Sequence, residues 1–197
     1  MKSCIRAFAA VFALILPAAS LAAGEDTAIA QAPDFAATAF APGALAEVSL
    51  GTLFDQATVA VPEWGSGREG LGRRAGLLVS SHLIDATVTY SLGQLRSTTT
   101  AYSRCRCKGF PRRARHAIVA QFIEHGMDGS VAAPVARFSG LATSVLASAP
   151  LLPARYGAGY ALERAETRIG VDIGLNLLDE FWPEIRRTLS APLKRLH

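Results

Sequence analysis

Cysteine is scarce in this chain, which has three in 197 residues. Cys4 lies close to the N-terminus, so Cys105 and Cys107 are the two that a folded domain can use. A structural zinc site takes four ligands, with at least two residues between paired cysteines. The Cys-Arg-Cys spacing and the lack of further cysteines therefore argue against a metal site. A disulfide between Cys105 and Cys107, a disulfide to another chain and two free thiols remain as alternatives.

The sequence also lacks the signatures of the common enzyme classes. It has no Gly-x-Ser-x-Gly, no His-Glu-x-x-His and no glycine-rich loop for phosphates or a dinucleotide. Histidine, the usual acid or base near neutral pH, occurs only four times. We therefore expect no cofactor, and a non-enzymatic protein is favoured over an enzyme.

No apolar run is long enough to cross a bilayer, which takes about 20 residues, but the chain starts with the parts of an export signal. Lys2 and Arg6 precede an uncharged apolar stretch, Ala7 to Leu16. Shortly after it, the small side chains of Ser20 and Ala22 suit the pockets of signal peptidase. This pattern predicts a signal peptide of residues 1–22 and a mature protein in the periplasm or outer envelope. Its removal leaves eighteen cations against sixteen acids, a net charge of +2.

Composition and punctuation divide the rest of the chain. Residues 23–60 are rich in alanine and poor in large apolar side chains, which predicts a flexible leader with a short helical piece around Leu45 to Ala57. Prolines and glycines then divide residues 61–197 into helical segments. We predict an all-α fold, a compact bundle of about four to five helices. The predicted helices are residues 67–96, 111–124, 134–149, 158–182 and a short last helix from Pro183 to Ser190.

Small residues recur every four positions in three of these helices. The stripes are Gly72, Gly76 and Ser80; Ala136, Gly140, Ser144 and Ser148; and Gly170 and Gly174. Such a stripe lies on one helix face and lets two helices approach closely. Glycine destabilises a helix by about 1 kcal/mol relative to alanine. The stripes therefore predict helices that pack closely through small-residue faces, because such packing offsets this loss.

Polar side chains interrupt each helix near its middle, as His82 and Asp85 do in the first and Arg137 does in the third. We therefore expect no transmembrane helix, and a helical domain that is soluble or rests on a membrane surface is favoured. The segment Thr87–Leu92 alternates polar and apolar residues, so an outer-membrane β-barrel is a further alternative.

Short sequence blocks follow one another between residues 60 and 190. The blocks are Glu63-Trp64-Gly65, Gly72-Arg73-Arg74, Tyr102-x-Arg104, Gly109-Phe110-Pro111-Arg112, Gly170-x-Asp172 and Glu180-Phe181-Trp182-Pro183-Glu184-Ile185-Arg186. The last of them, Glu-Phe-Trp-Pro-acid-Ile-basic, is the most specific. This series resembles an uncharacterised family of exported bacterial proteins that carry the blocks in the same order. The resemblance implies a shared fold and no mechanism.

A basic segment lies between Asp85 and Glu124, where no acidic residue interrupts seven cations. An exported protein is not expected to bind nucleic acid. The predicted partner is therefore an anionic lipid or an acidic polymer of the envelope. The alternative is a solvated loop and helix start that bind nothing. The candidate anion-binding residues are Arg104, Arg106, Lys108, Arg112, Arg113 and Arg115.

Four polar residues form a second candidate site. His82 and Asp85 are three positions apart in the first helix, and Asp172 and Asn176 share a face of the fourth. If the two pairs converge, they supply acid–base groups for catalysis or a polar pocket; otherwise they form a buried hydrogen-bond network. The predicted function is an exported cell-envelope protein without enzymatic activity, structural or membrane-associated. The alternative is a periplasmic enzyme or ligand-binding protein that uses these four residues.

Overall fold

The computed structural model describes residues 34–190. The predicted signal peptide, residues 1–22, and the first part of the predicted leader lie outside the described residues. The described part is mostly helical, as the sequence predicts, and a short helix over residues 34–39 comes first. The long helices are α1 Pro42–Ala57, α2 Arg68–Arg96, α3 Phe110–Val119, α4 Val135–Ser148 and α5 Ala158–Ser190.

A small antiparallel sheet, which the sequence does not predict, accompanies the helices. Its strands are β1 Thr98–Thr99, β2 Glu124–Gly126 and β3 Val131–Ala132, in the order β1-β2-β3. Thr98 pairs with Gly126, and Glu124 pairs with Ala132. Strands of two or three residues are too short to show an alternating pattern, which needs at least about four residues to be recognised.

Helix α5 differs from the prediction at its C-terminal end. Pro183 was expected to end one helix and start another, but α5 continues through it to Ser190. A proline inside a helix lacks an N–H and disturbs the bonds of the preceding carbonyl oxygens. Here the guanidinium of Arg113 donates a hydrogen bond to the backbone oxygen of Glu180, three residues before the proline. A side-chain donor from elsewhere in the chain thus contacts the helix backbone one residue after Asp179, whose carbonyl an N–H at position 183 would bond.

The chain forms two compact units. Among the described residues, the first contains residues 34–92 and 136–162, and the second contains residues 93–135 and 163–190. Helices α2 and α5 each contribute to both units.

In the first unit, a buried arginine holds the turn that precedes α2. Arg74 is 1% exposed, and its guanidinium donates to the backbone oxygens of Val61 and Gly65 and to the side chain of Gln56. A short 3₁₀ turn, Pro62–Trp64, lies between those two carbonyls. Because a buried guanidinium must find acceptors, Arg74 fixes the entry to α2 by hydrogen bonds rather than by apolar packing.

The second small-residue stripe forms the buried face of α4. The buried residues of this helix are Ala136, Gly140, Ser144 and Ser148. A Cβ atom at Gly140 would lie 2.8 Å from the backbone oxygen of Asp85 in α2. Here α4 and α2 pack closely through a small-residue face, as predicted.

The other two stripes behave differently. Gly72, Gly76, Gly170 and Gly174 are exposed, and a Cβ atom at any of them would meet no other atom of the described residues within 4 Å. Among the described residues, the prediction of close packing is therefore wrong at all four of these glycines. Four-residue spacing places side chains on one face, but it does not determine whether another helix covers that face.

Large apolar side chains also lie on the surface. In α1, Leu50, Leu53 and Phe54 are 60% or more exposed. Within residues 34–190, no helix combines the length and the apolar character that crossing a membrane requires. The largest fully buried side chains are instead mostly polar: Arg74, Gln121, Glu124 and Glu180, together with Val61.

Candidate functional site

The predicted basic segment lies in the second unit, in the loop from β1 to α3 and in the first turns of α3. Gly109 precedes α3 with φ 90°, a conformation that glycine adopts readily, and Pro111 occupies the first turn of the helix. The inner side of this segment contacts the last turns of α5, which carry the acids Asp179, Glu180 and Glu184.

Glu180 is the centre of this contact, and its side chain is fully buried. One carboxylate oxygen accepts hydrogen bonds from the Tyr102 hydroxyl at 2.6 Å and from the Cys105 backbone N–H at 2.9 Å. The other oxygen accepts a hydrogen bond from Nε of Arg113 at 2.7 Å. Both oxygens of a buried carboxylate are therefore satisfied, one of them by a cation.

These contacts set the ionisation of the group. Burial alone raises the pKa of Glu180, but hydrogen bonds from Arg113, Tyr102 and the Cys105 backbone outweigh burial, so the pKa lies below its ordinary value. Burial, followed by the hydrogen bond to Glu180, raises the pKa of Tyr102. At neutral pH the site thus contains an ionised Glu180 and a neutral Tyr102 that donates to it.

Arg113 connects α3 to α5 through several contacts. Besides Glu180, it donates to Oε1 of Glu184 at 2.6 Å, and its guanidinium lies 4.5 Å from the ring centre of Phe181. The rings of Phe110 and Phe181 stack with their centres 5.0 Å apart. Hydrogen bonds to Glu184 and then to Glu180 raise the pKa of Arg113. Charge and aromatic stacking together fix the start of α3 on α5.

Arg104 forms a second, more exposed pair. Its guanidinium donates to Asp179 at 2.6 Å, and about half of each side chain is exposed. This hydrogen bond raises the pKa of Arg104. Two of the six predicted anion-binding residues, Arg104 and Arg113, are therefore paired with acids of the same unit.

The other four candidate cations lie on the surface of this unit. Among the described residues, none of the four forms an ion pair with an acid. On α3, Val119 follows Arg112 and Arg115 at helical spacing, so these three fall close to one face, and Phe122 lies in the 3₁₀ turn Ala120–Phe122 that follows the helix. Val119 is 40% exposed, and Phe122 is 48% exposed. We call these four exposed residues, which are not paired with the acids of α5, the cationic face: Arg106, Lys108, Arg112 and Arg115.

The two cysteines form a disulfide inside this segment. Cys105 and Cys107 are joined to each other, with Cα atoms 5.2 Å apart. Both residues are partly exposed, and Arg104, Arg106 and Lys108 are their exposed neighbours in the chain. Of the alternatives that the sequence leaves open, the structure contains the disulfide within the chain.

The first pair of the second candidate site has partners within the first unit. His82 is buried, and its Nε2 lies 2.8 Å from the backbone oxygen of Ala39. Because a carbonyl oxygen only accepts, Nε2 carries the proton in this bond. Asp85 accepts a hydrogen bond from Thr89, one turn further along α2. His82 thus attaches the short helix of residues 34–39 to α2.

The second pair has partners within the second unit. Asp172 accepts a hydrogen bond from the buried side chain of Gln121 at 3.1 Å and lies 3.3 Å from Arg168. Asn176 donates to the backbone oxygen of Ala117 in α3. These contacts fix α3 on α5 within that unit. The convergence of all four residues stays a prediction.

Within the described part of the chain, no three His, Cys, Asp or Glu side chains come together as ligands for a metal ion.

The sequence contains the signals for the Glu180 site, but it does not reveal their pairing. The block Tyr102-x-Arg104 and the block that starts at Glu180 are far apart in the sequence. The structure brings them together, because Tyr102 donates to Glu180 and Arg104 donates to the preceding residue, Asp179. In the same way, the Glu63-Trp64-Gly65 and Gly72-Arg73-Arg74 blocks meet where Arg74 donates to Gly65. Four of the blocks thus form two structural contacts, one in each unit.

Comparisons with known proteins assign the chain to no group: no family model, no curated protein and no solved structure matches it.

Proposed function

We propose that this protein is an exported, non-enzymatic component of the cell envelope that binds the surface of anionic membranes through the cationic face. The observation that carries the proposal is the division of the basic segment into two sets. Arg104 and Arg113 are paired with acids on α5. The four cations of the cationic face are exposed to solvent.

The internal pairs give the exposed set a defined position. Arg113 is 20% exposed and bonded to the fully buried Glu180, so the start of α3 is held by a contact that solvent reaches poorly. A cluster of cations on a fixed segment binds an anionic surface with a smaller loss of conformational entropy than the same cations on a flexible chain.

The apolar residues beside the cations favour a lipid surface over a soluble acidic polymer. Ile118 and Val119 follow the arginines along α3, Phe122 lies in the 3₁₀ turn after it, and each of the three is at least 40% exposed. Side chains of this kind enter the boundary between headgroups and acyl chains, while neighbouring cations contact lipid phosphates. A soluble polyanion offers the charge but no apolar layer.

The magnitude is sufficient for reversible binding. Each cation close to an anionic bilayer contributes about 1 kcal/mol. Four such residues therefore favour the anionic surface by about 4 kcal/mol, which corresponds to about a thousandfold in partitioning. Because the interaction is electrostatic, it weakens as salt is added.

Vesicle sedimentation tests this proposal. We expect the mature chain to bind vesicles that contain phosphatidylglycerol and to bind pure phosphatidylcholine vesicles far less. Replacing Arg112 and Arg115 by glutamine is expected to weaken binding to the anionic vesicles by about thirtyfold, because two contributions of about 1 kcal/mol are lost. The matched control is the pair Arg68→Gln and Arg73→Gln, which removes the same charge from exposed positions on α2, outside the basic segment, and should change binding by less than about twofold.

Two results would contradict the proposal. Equal binding to neutral and anionic vesicles that is insensitive to salt would remove electrostatics as the cause. Binding to a soluble acidic polysaccharide without binding to vesicles would identify the polymer as the partner instead. Fractionation of envelopes with and without a salt wash tests the predicted location, since a peripheral protein leaves the membrane fraction in high salt.

A further inference from the structure

The disulfide in the basic segment has an unusual setting. Cys105 and Cys107 are separated by a single residue, so the bond closes a loop of only three residues. In the chain-entropy account, the stabilisation that a disulfide provides grows with the length of the loop that it closes. A three-residue loop therefore gains little stability from its crosslink.

The segment is also held in place without the sulfur atoms. Its anchors are the Tyr102 hydroxyl and the Cys105 backbone N–H on Glu180, the Arg104–Asp179 pair, and the bond from His116 to the backbone oxygen of Ser103. None of these contacts uses a sulfur atom. The loop can keep its position whether the cysteines are joined or reduced, so the structure gives the disulfide little mechanical role.

The chemical surroundings of the bond are those of a reactive one. Both cysteines are partly exposed, so an external thiol can approach. Arg106 lies between them, Lys108 follows, and both are exposed cations. Positive charge next to a sulfur stabilises the thiolate that leaves when a disulfide is attacked, and exposed disulfides in small loops are the labile ones.

We propose that the Cys105–Cys107 disulfide is a thiol–disulfide exchange site whose substrates are external thiols, with Arg106 and Lys108 stabilising the leaving thiolate. An external thiolate attacks one sulfur, forms a mixed disulfide with it and releases the other cysteine as a thiolate. A second external thiol, as its thiolate, attacks the mixed disulfide. The products are the oxidised external disulfide and the Cys105/Cys107 dithiol, which has taken up the two electrons and, on protonation, the two protons. The reverse reaction with an oxidised disulfide restores the bond.

Equilibration with glutathione tests the exchange. The mature chain is incubated with mixtures of reduced and oxidised glutathione, and its free thiols are counted by alkylation and mass spectrometry. We expect the disulfide to open in excess reduced glutathione and to form again when the oxidised form is added. We also expect the dithiol protein to keep its helical circular dichroism and to lose no more than about 3 to 6 °C in Tm, because the crosslink contributes little stability.

Two outcomes would overturn the exchange proposal. A bond that stays closed in a large excess of reduced glutathione is a structural crosslink. A dithiol form that loses its helical signal shows that the crosslink holds the fold. The Cys105→Ser, Cys107→Ser double variant distinguishes this second outcome from damage by the reagent, since it removes the bond without exposure to thiols.

Charge variants test the role given to the two cations. The pair Arg106→Gln and Lys108→Gln is expected to slow reduction by glutathione about three- to tenfold, because less charge stabilises the leaving thiolate. The pair Arg68→Gln and Arg73→Gln removes equal charge from exposed positions on α2 and should slow reduction by less than about twofold. Equal slowing in both variants would show that overall charge, not these neighbours, sets the rate. Membrane binding and exchange are separate measurements, so either proposal can fail without the other.

Discussion

Replacing Glu180 by glutamine is expected to lower the free energy of unfolding by about 3 kcal/mol, the typical cost of breaking a buried ion pair. Glutamine keeps the size of the side chain but removes the charge that faces Arg113, and its amide group places a donor where an acceptor stood. The Tyr102 hydroxyl and the Cys105 backbone N–H donate to one carboxylate oxygen, and Nε of Arg113 donates to the other. If the amide oxygen keeps the first two bonds, the amide NH2 faces the N–H of Arg113, donor against donor, so the three bonds cannot all be kept. Urea denaturation followed by circular dichroism measures the change.

The neighbouring Asp179→Asn change is the matched control. It also removes one carboxylate charge from α5 and also breaks a pair with an arginine, but about half of the Asp179 side chain is exposed. Exposed pairs contribute little because water screens them, so we expect only a small change in stability. Equal losses in the two variants would show that the charge of α5 as a whole matters, and that burial of Glu180 does not.

The same carboxylate predicts how stability depends on pH. The pKa of Glu180 is lower in the folded protein than its ordinary value, so its contribution is complete above the ordinary glutamate pKa of about 4.3. It is lost as the pH falls through the lower, folded-state value. We expect unfolding in urea to become easier as the pH falls below about 4.3, and less steeply so for Glu180→Gln. An unchanged pH dependence in that variant would place the acid-sensitive group elsewhere.

The helices could be predicted largely because their ends are marked locally. Prolines and glycines flank α4, whose observed range of Val135–Ser148 is one residue shorter at each end than predicted. The same reasoning is wrong at Pro183, because α5 continues to Ser190. On either side of the proline, Arg113 bonds the side chains of Glu180 and Glu184, which lie 67 and 71 positions away in the sequence. Local signals cannot report a contact of that separation.

The candidate site shows the same limit. A run of cations without acids is visible in the sequence, so the basic segment could be identified from it. Which cations are paired could not be predicted, because the partners Asp179, Glu180 and Glu184 lie about 70 residues later and only the fold brings them close. The distinction between paired and exposed cations, on which the proposed membrane contact depends, therefore comes from the structure.

The glycines of the small-residue stripes lead to the second large prediction. Gly140→Ala is expected to destabilise the protein by about 2 kcal/mol, although alanine is the better helix former, because the added methyl group overpacks the contact between α4 and α2. Its Cβ would lie 2.8 Å from the backbone oxygen of Asp85. That oxygen belongs to a helix backbone and cannot turn away as a flexible side chain can.

Gly174→Ala in α5 is the same substitution at an exposed helix position, and we expect the opposite effect on stability. Gly174 is exposed, and its added Cβ would meet no other described atom within 4 Å, so only the helix propensity changes. We expect this variant to be more stable than the parent by about 0.5 to 1 kcal/mol. Thermal and urea unfolding of the two variants therefore should move in opposite directions. If Gly140→Ala were also stabilising, α4 and α2 would not be in close contact at this point, and the buried stripe of α4 would have no packing role.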